Sequence, residues 1–263
     1  MTWGKAHHLW TFAKADREPK MEAIRENVLR VREAMERAAL QVGRNPEEIR
    51  LVAASKMVDT ERIRSAIKAG ITIIGENYVQ EAMRKSEAVE KSVSWHFIGH
   101  LQKNKARHAV QLFDMIHSVD STALAEELNK RLGRVDRKME VLVEVNLSGE
   151  TSKWGVREED AMPLIHRING LADLSFRGLM TMPPFFDDPE ESRPYFVRLR
   201  RLAERIEREG LHPGPLELSM GMSDDFLVAI EEGATLVRVG TAIFGPRPRK
   251  DSAAGYSDDL EES

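Results

Sequence analysis

The fold class this sequence predicts is α/β, a (β/α)8 TIM barrel in which eight parallel strands are each followed by a helix. Three observations predict it. Between Arg50 and Val239, eight short apolar runs alternate with amphipathic stretches, as buried parallel strands with crossover helices do. The length of 263 residues matches one such barrel, which typically takes about 250. Finally, the first run is followed by Ser55, Lys56 and Met57 rather than a glycine-rich turn, and no G-x-G-x-x-G or Walker sequence occurs, so an open dinucleotide-binding sheet is disfavoured.

The elements follow in order. From Met21 to Val42 apolar residues recur at helical spacing (Ile24, Val28, Val31, Met35, Ala38) until Gly43 and Pro46 break the pattern, which predicts a long opening helix. The expected strands are Arg50 to Ala54, Ile71 to Ile74, Trp95 to Ile98, Asp114 to Val119, Met139 to Asn146, Leu174 to Thr181, Pro215 to Leu218 and Thr235 to Val239. Helical patterns run from Pro189 to Glu209 and from Ser223 to Glu232. Residues 21–246 are thus expected to form one barrel, with 1–20 as an extension lacking an apolar run long enough for a signal or a membrane span. Residues 247–263, rich in Asp, Ser and Glu, are expected to be a flexible tail.

Composition narrows the chemistry. The net charge of -4 comes from 39 basic and 43 acidic residues interspersed along the chain, so no broad field points to nucleic acid or an anionic membrane. With no cysteine, disulfides, thiolate nucleophiles and iron–sulfur clusters are excluded, and a cytoplasmic location is expected. The run Lys103 to His108 is basic but lacks an aromatic platform, and His96 and His100 are separated by a strand end and a loop rather than one helical turn. Neither predicts a nucleic-acid or metal site.

Ligand-binding groups in barrels of this kind sit at the carboxyl ends of the strands. There the sequence places Lys56, then Gly75-Glu76-Asn77, His96 and Gly99, Ser118, Asn146 and Ser148, Met180 and Thr181, Ser219-Met220-Gly221, and Arg238 to Thr241. Small and hydroxyl residues after the last two strands can expose backbone amides to a phosphate, a role fitting Ser219, Ser223, Gly240 and Thr241. The alternative is a pair of ordinary turns, with Ser223 as a helix N-cap. Lys56, just beyond an apolar strand, could lose its proton and attack a carbonyl, or be a solvated loop lysine. An aldehyde-bearing phosphate such as pyridoxal phosphate (PLP) would answer to both features. Arg238 could then face the pyridine nitrogen and keep it unprotonated, weakening the ring as an electron sink, or pair with Glu144 or Glu217 inside the barrel.

These residues resemble a known family, the pyridoxal phosphate homeostasis proteins, also called YggS-like or proline synthetase co-transcribed. The resemblance rests on Leu51 to Lys56, Gly75 to Glu81, Trp95 to Lys105, Val145 to Gly155, Gly178 to Pro184, Leu218 to Asp225 and Val237 to Gly245. It implies a fold-type III barrel like the alanine racemase N-terminal domain, without the C-terminal β domain, holding PLP as an internal aldimine on Lys56. By the same resemblance Asn77, His96 and Ile98 line the ring, Ser219, Met220, Ser223, Gly240 and Thr241 hold the phosphate, and Arg238 faces the ring nitrogen. After Lys56 this chain has Met57-Val58 where many relatives have Thr-Lys or a similar pair.

Racemisation needs two acid/base groups on opposite faces of the substrate carbon, and Tyr78, Tyr195 and Tyr256 offer no opposed tyrosine. The expectation is therefore a non-enzymatic, monomeric reservoir that delivers PLP to apo PLP-dependent enzymes by transimination, with Lys153 read as an ordinary solvated lysine ahead of the alternative, a way station on the same rim. The alternative is a weak PLP-dependent amino-acid racemase. A Schiff-base aldolase is a third class, and absence of cofactor colour would mark it.

Overall fold

The computed structural model describes residues 21–89 and 92–246, so the expectations for 1–20 and 247–263 lie outside the described residues. Its eight strands are β1 (Arg50–Ala54), β2 (Ile73–Glu76), β3 (Ser94–Phe97), β4 (Met115–Val119), β5 (Met139–Glu144), β6 (Leu174–Met180), β7 (Glu217–Ser219) and β8 (Leu236–Val239). Each pairs in parallel with the next, and β8 returns to β1 through Arg50↔Leu236 and Val52↔Arg238 to close the barrel. Between them lie α1 (Met21–Gln41), α2 (Thr60–Lys68), α3 (Val79–Ala88), α4 (Ala106–Leu112), α5 (Thr122–Leu132), α6 (Glu158–Asn169), α7 (Arg193–Arg208), α8 (Phe226–Glu231) and α9 (Thr241–Phe244).

The closed barrel agrees with the expected fold, and the differences in boundaries have local causes. β2 begins at Ile73 because Ile71 packs instead into the core outside the barrel, and it runs on to Glu76, whose carboxylate is buried. β7 starts only at Glu217, since Pro215 has no N–H for a ladder. The helical pattern from Pro189 opens with a 3₁₀ turn before α7, and α8 starts at Phe226 rather than Ser223.

Alternation along the strands separates two cores. One fills the space between sheet and helices; the other is a smaller plug inside the barrel made by Val52, Ile73, Ile98, Met115, Leu142, Met180 and Leu236. α1 buries the apolar stripe read from sequence, Ile24, Val28, Val31, Met35 and Ala38. Because α9 is a single turn, α1 packs on α2, α8 and α9 and covers the seam between β8 and β1. The Asn27 amide ties the two ends together by donating to the Ile243 carbonyl at 2.8 Å.

Candidate site at the mouth of the barrel

Lys56 occupies a turn directly after β1. The Val58 N–H donates to the Ser55 carbonyl at 3.0 Å, leaving Lys56 and Met57 as its central residues, and Met57 adopts φ +60°. Lys56 is half-buried, and its position continues the inward parity of Val52.

The turn after β8 lies beside it. A Cβ built on Gly240 would stand 3.1 Å from the Ala54 carbonyl, so the β8 turn is packed against the end of the lysine strand. Ser223 is 9% exposed and does not cap α8; its Oγ accepts from the amides of Gly240 and Ala242, each at 3.2 Å. The N-cap alternative for Ser223 is therefore corrected: the hydroxyl crosses to the neighbouring loop and shapes it. Thr241 opens α9 on the exposed side of the turn, where its N–H has no carbonyl one helical turn earlier to bond. At the β7 end Gly221 adopts φ +91°, and a Cβ there would stand 2.6 Å from that of Ala229. Glycine lets the loop carrying Ser223 pass close to α8.

Ser219 and Met220 have different surroundings from this turn. Met220 is buried in the outer core and gives its amide to the Leu236 carbonyl at 3.1 Å. The Ser219 hydroxyl lies inside the barrel, in a buried chain: Arg238 Nη1 donates to Ser219 Oγ at 2.7 Å, Ser219 Oγ meets His117 Nδ1 at 2.8 Å, and His117 Nε2 meets His96 Nδ1 at 2.9 Å. Arg238 Nη2 also donates to the Thr181 carbonyl at 3.0 Å. Arg238 thus pairs with neither Glu144 nor Glu217 in a salt bridge; Glu217 is taken by Arg50 at 2.6 Å.

Burial sets the charges of this chain. It lowers His96 to about 4 and, assisted by His96 and Arg238, holds His117 well below the imidazole range, so both rings are neutral at pH 7. With neutral rings the two imidazole bonds share one polarity: either Ser219 donates to His117 and His117 to His96, or His96 donates to His117 and His117 to Ser219, while Arg238 donates to Ser219 in both. Burial lowers Arg238 only to about 10, so its guanidinium stays charged. At the end of β5, burial followed by repulsion from Asp120 raises Glu144 to about 7 despite Arg238 nearby.

Around the remaining rim, Ile98 belongs to the barrel plug and its side chain would meet a Cβ on Gly75 at 2.8 Å. Asn77 is half-buried, and a Cβ on Gly99 would be 2.7 Å from its Cα, so the β2 and β3 turns are in close contact. Asn146 organises the next loop through bonds to the Glu150 and Lys153 carbonyls, at 2.9 and 3.1 Å. Lys153 itself pairs with Glu150 at 3.4 Å, and Trp154 stacks on His100 with ring centroids 3.5 Å apart. Sequence reasoning missed His117, which lies inside a strand whose end alone, Ser118, was singled out; it named Glu144 only as a possible partner of Arg238, and not as a buried carboxyl with a raised pKa.

A closed parallel barrel with a lysine turn and a small-residue, amide-rich turn on adjoining strands defines a class, the alanine racemase N-terminal domain, whose family model matches residues 19–248. Within that class the chain belongs to the pyridoxal phosphate homeostasis family. It is 44% identical over 223 residues to the pyridoxal phosphate homeostasis protein of Aquifex aeolicus, covering 84% of this chain and 97% of that one. The protein of that name from Escherichia coli is 38% identical, over 86% of this chain and 98% of its own. Among solved structures, PipY of Synechococcus elongatus with PLP bound superposes with a TM-score of 0.75 at 36% identity, over 84% of this chain and 100% of its own. Alanine racemase from Clostridium difficile shares the fold alone: TM-score 0.69, 15% identity, with 88% of this chain and 61% of that one covered.

Proposed function

We propose that residues 21–246 bind pyridoxal 5'-phosphate, held covalently and reversibly on the Lys56 amine, and that the protein serves vitamin B6 homeostasis as a carrier. The observation that carries this reading is the adjacency of the Lys56 turn and the Ser223–Thr241 turn across the β1–β8 seam. One supplies an amine and the other hydroxyls and amides, which are the partners of an aldehyde and a phosphate. When bound, PLP supplies the aldehyde that exchanges one amine for another.

This chain's own residues then have distinct tasks. Ser223, Gly240 and Thr241 hold the phosphate, with Ser219 and Met220 supporting that turn from β7. Asn77, His96 and Ile98 would flank the ring, and Arg238, braced by Ser219 and Thr181, would face the ring nitrogen. A permanently charged donor keeps that nitrogen from taking a proton, which disfavours carbanion chemistry and favours holding and release. With PLP bound, Lys56 would be the amine that an incoming amine replaces, which would free the cofactor for an apo PLP-dependent enzyme. The working form is a cytoplasmic monomer that needs neither nucleic acid nor a membrane.

Borohydride reduction and peptide mass analysis test the site: the added cofactor mass should fall on the peptide containing Lys56, and Lys56→Ala should lose both the label and the yellow colour. Retention of colour by Lys56→Ala would refute the assignment. Delivery is tested with an apo-transaminase, which should recover faster with the loaded protein than with the free PLP it releases. Glu144 favours a second reading, weak amino-acid racemisation, because a buried carboxyl raised to about 7 can exchange protons at neutral pH. Deuterium incorporation at Cα of L-alanine, abolished by Glu144→Gln, would support that reading over the carrier.

A further inference from the structure

We propose that the Glu81–Lys85 ion pair of α3 is a positioning device for Lys56. The proposal rests on the reading of Lys56 as the cofactor-bearing amine. It starts from the two peptide groups that flank this residue. The carbonyl before Lys56, that of Ser55, accepts from Lys85 Nζ at 2.6 Å, and the N–H after it, that of Met57, donates to Glu81 Oε1 at 2.7 Å. Lys85 and Glu81 are bonded to each other at 2.7 Å. The two ends of one ion pair therefore grip the peptide planes on either side of the amine-bearing residue.

The pair is unlike a surface bridge at the same helical spacing. Glu81 is 4% exposed and Lys85 5%, so water neither screens nor replaces the contacts. A primary ammonium has three donors, and all three are used, on Ser55 O, Glu81 Oε1 and, at 2.6 Å, Glu76 Oε1. Glu76 also accepts from the Ser55 hydroxyl, so the residue before Lys56 is held through both its carbonyl and its side chain. A buried ion pair is weak evidence for stability; what this one visibly does is hold the Ser55 carbonyl and the Met57 amide.

The backbone shows what the grip is for. Met57 stands at the third position of the Ser55–Val58 turn with φ +60°, a place that ordinarily asks for glycine or asparagine. Glycine would permit that conformation along with many others. Methionine held by a buried carboxylate permits one, so the direction in which Lys56 leaves the backbone is set from α3. Neither carboxylate needs to touch the cofactor, since the action passes through the peptide bonds.

The test titrates the parent, Glu81→Gln and Glu81→Gln/Met57→Gly with PLP by absorbance, after melting curves establish that each is folded. Glu81→Gln should weaken PLP binding roughly tenfold, the worth of a hydrogen bond to a charged acceptor, and shift the pH at which the coloured form appears. Adding Met57→Gly should recover part of the affinity, because glycine reaches the left-handed turn unaided. A purely structural role predicts no such rescue, so an affinity of Glu81→Gln equal to the parent's, or a double variant no better than the single, overturns the proposal. If Glu81→Gln does not fold, Glu81→Asp keeps the charge while drawing it back from the Met57 amide and carries the same expectation. Borohydride labelling of the parent separates the two levels. A parent unlabelled at Lys56 refutes the cofactor site and this proposal with it, whereas a labelled parent with unaffected variants refutes the positioning role alone.

Discussion

Glu144→Gln should make the protein more stable, and by an amount that depends on pH. Glu144 is 3% exposed and its folded pKa is raised from 4.5 to about 7 by burial and by Asp120. The folded chain therefore keeps this proton in a range where the unfolded chain has released it. Stability linked to Glu144 is fully present below 4.5 and is lost as pH rises through about 7. With a folded pKa of about 7, the parent gives up on the order of 1 kcal/mol by about pH 5 and on the order of 3 kcal/mol by about pH 8. Glutamine cannot ionise, so the stability gap between Glu144→Gln and the parent should widen by roughly 2–3 kcal/mol over that interval. Parallel urea titrations at the two pH values measure it, and for a chain of this size the gap corresponds to a difference of about 5–10 °C in melting temperature. A gap that does not change with pH would mean that Glu144 ionises normally in the fold, and the account of a desolvated carboxyl at the mouth would be wrong.

Ser223→Ala removes the acceptor from two amides bonded at 3.2 Å and should destabilise the fold by about 2 kcal/mol while weakening PLP binding; a melting temperature and PLP affinity both equal to the parent's would refute the role given to that hydroxyl. Nitrogen-15 spectra should find the His96 and His117 rings neutral at about pH 6 in the folded protein, since both are held below the usual imidazole range. Because the folded form refuses protons that the unfolded form accepts from 6.5 downward, the His96 contribution is present above 6.5 and is lost as pH falls toward about 4; His96→Gln should flatten that acid limb in urea titrations. Sulfate, a dianion throughout this range, should bind the mouth more tightly at about pH 6 than at about pH 8, and Glu144→Gln should abolish the difference in calorimetric titrations, because only the parent gains a negative charge there.

Much of the fold was legible because its cause is periodic. The eight apolar runs, and the stripe from Ile24 to Ala38, report burial on a face, and burial on a face is what builds this barrel. Strand ends were less legible because polar residues there are buried by the topology. Glu76 is fully buried at the end of β2, and His117 is fully buried within β4, yet neither type signals burial in a single sequence. The rim residues could be named because strand ends converge, but their partners could not. Ser219 and Ser223 lie four positions apart and look alike in sequence. One lies inside the barrel on Arg238 and the other reaches across to the turn after β8, a distinction made only by which way the chain turns at Gly221.

The two faces of the β1 end thus receive different electrostatic treatment. Outside the barrel, between β1, β2 and α3, the Lys85 ammonium bonds both Glu76 and Glu81 at short range and burial raises the Glu76 pKa, so the backbone beside Lys56 is fixed. Inside, Arg238 is a buried cation whose neighbours along the chain, Ser219, His117 and His96, are uncharged at neutral pH. Its hydrogen bonds go to the neutral Ser219 hydroxyl and to the Thr181 carbonyl, while Asp225 acts on it through space. Glu144 adds a further negative charge as pH rises through about 7. On the function proposed above, an interior of this kind orients an anionic, nitrogen-bearing ligand through a donor that cannot become an acid at pH 7. Such a donor helps the protein hold the ligand and does little to help it withdraw electrons from whatever amine arrives.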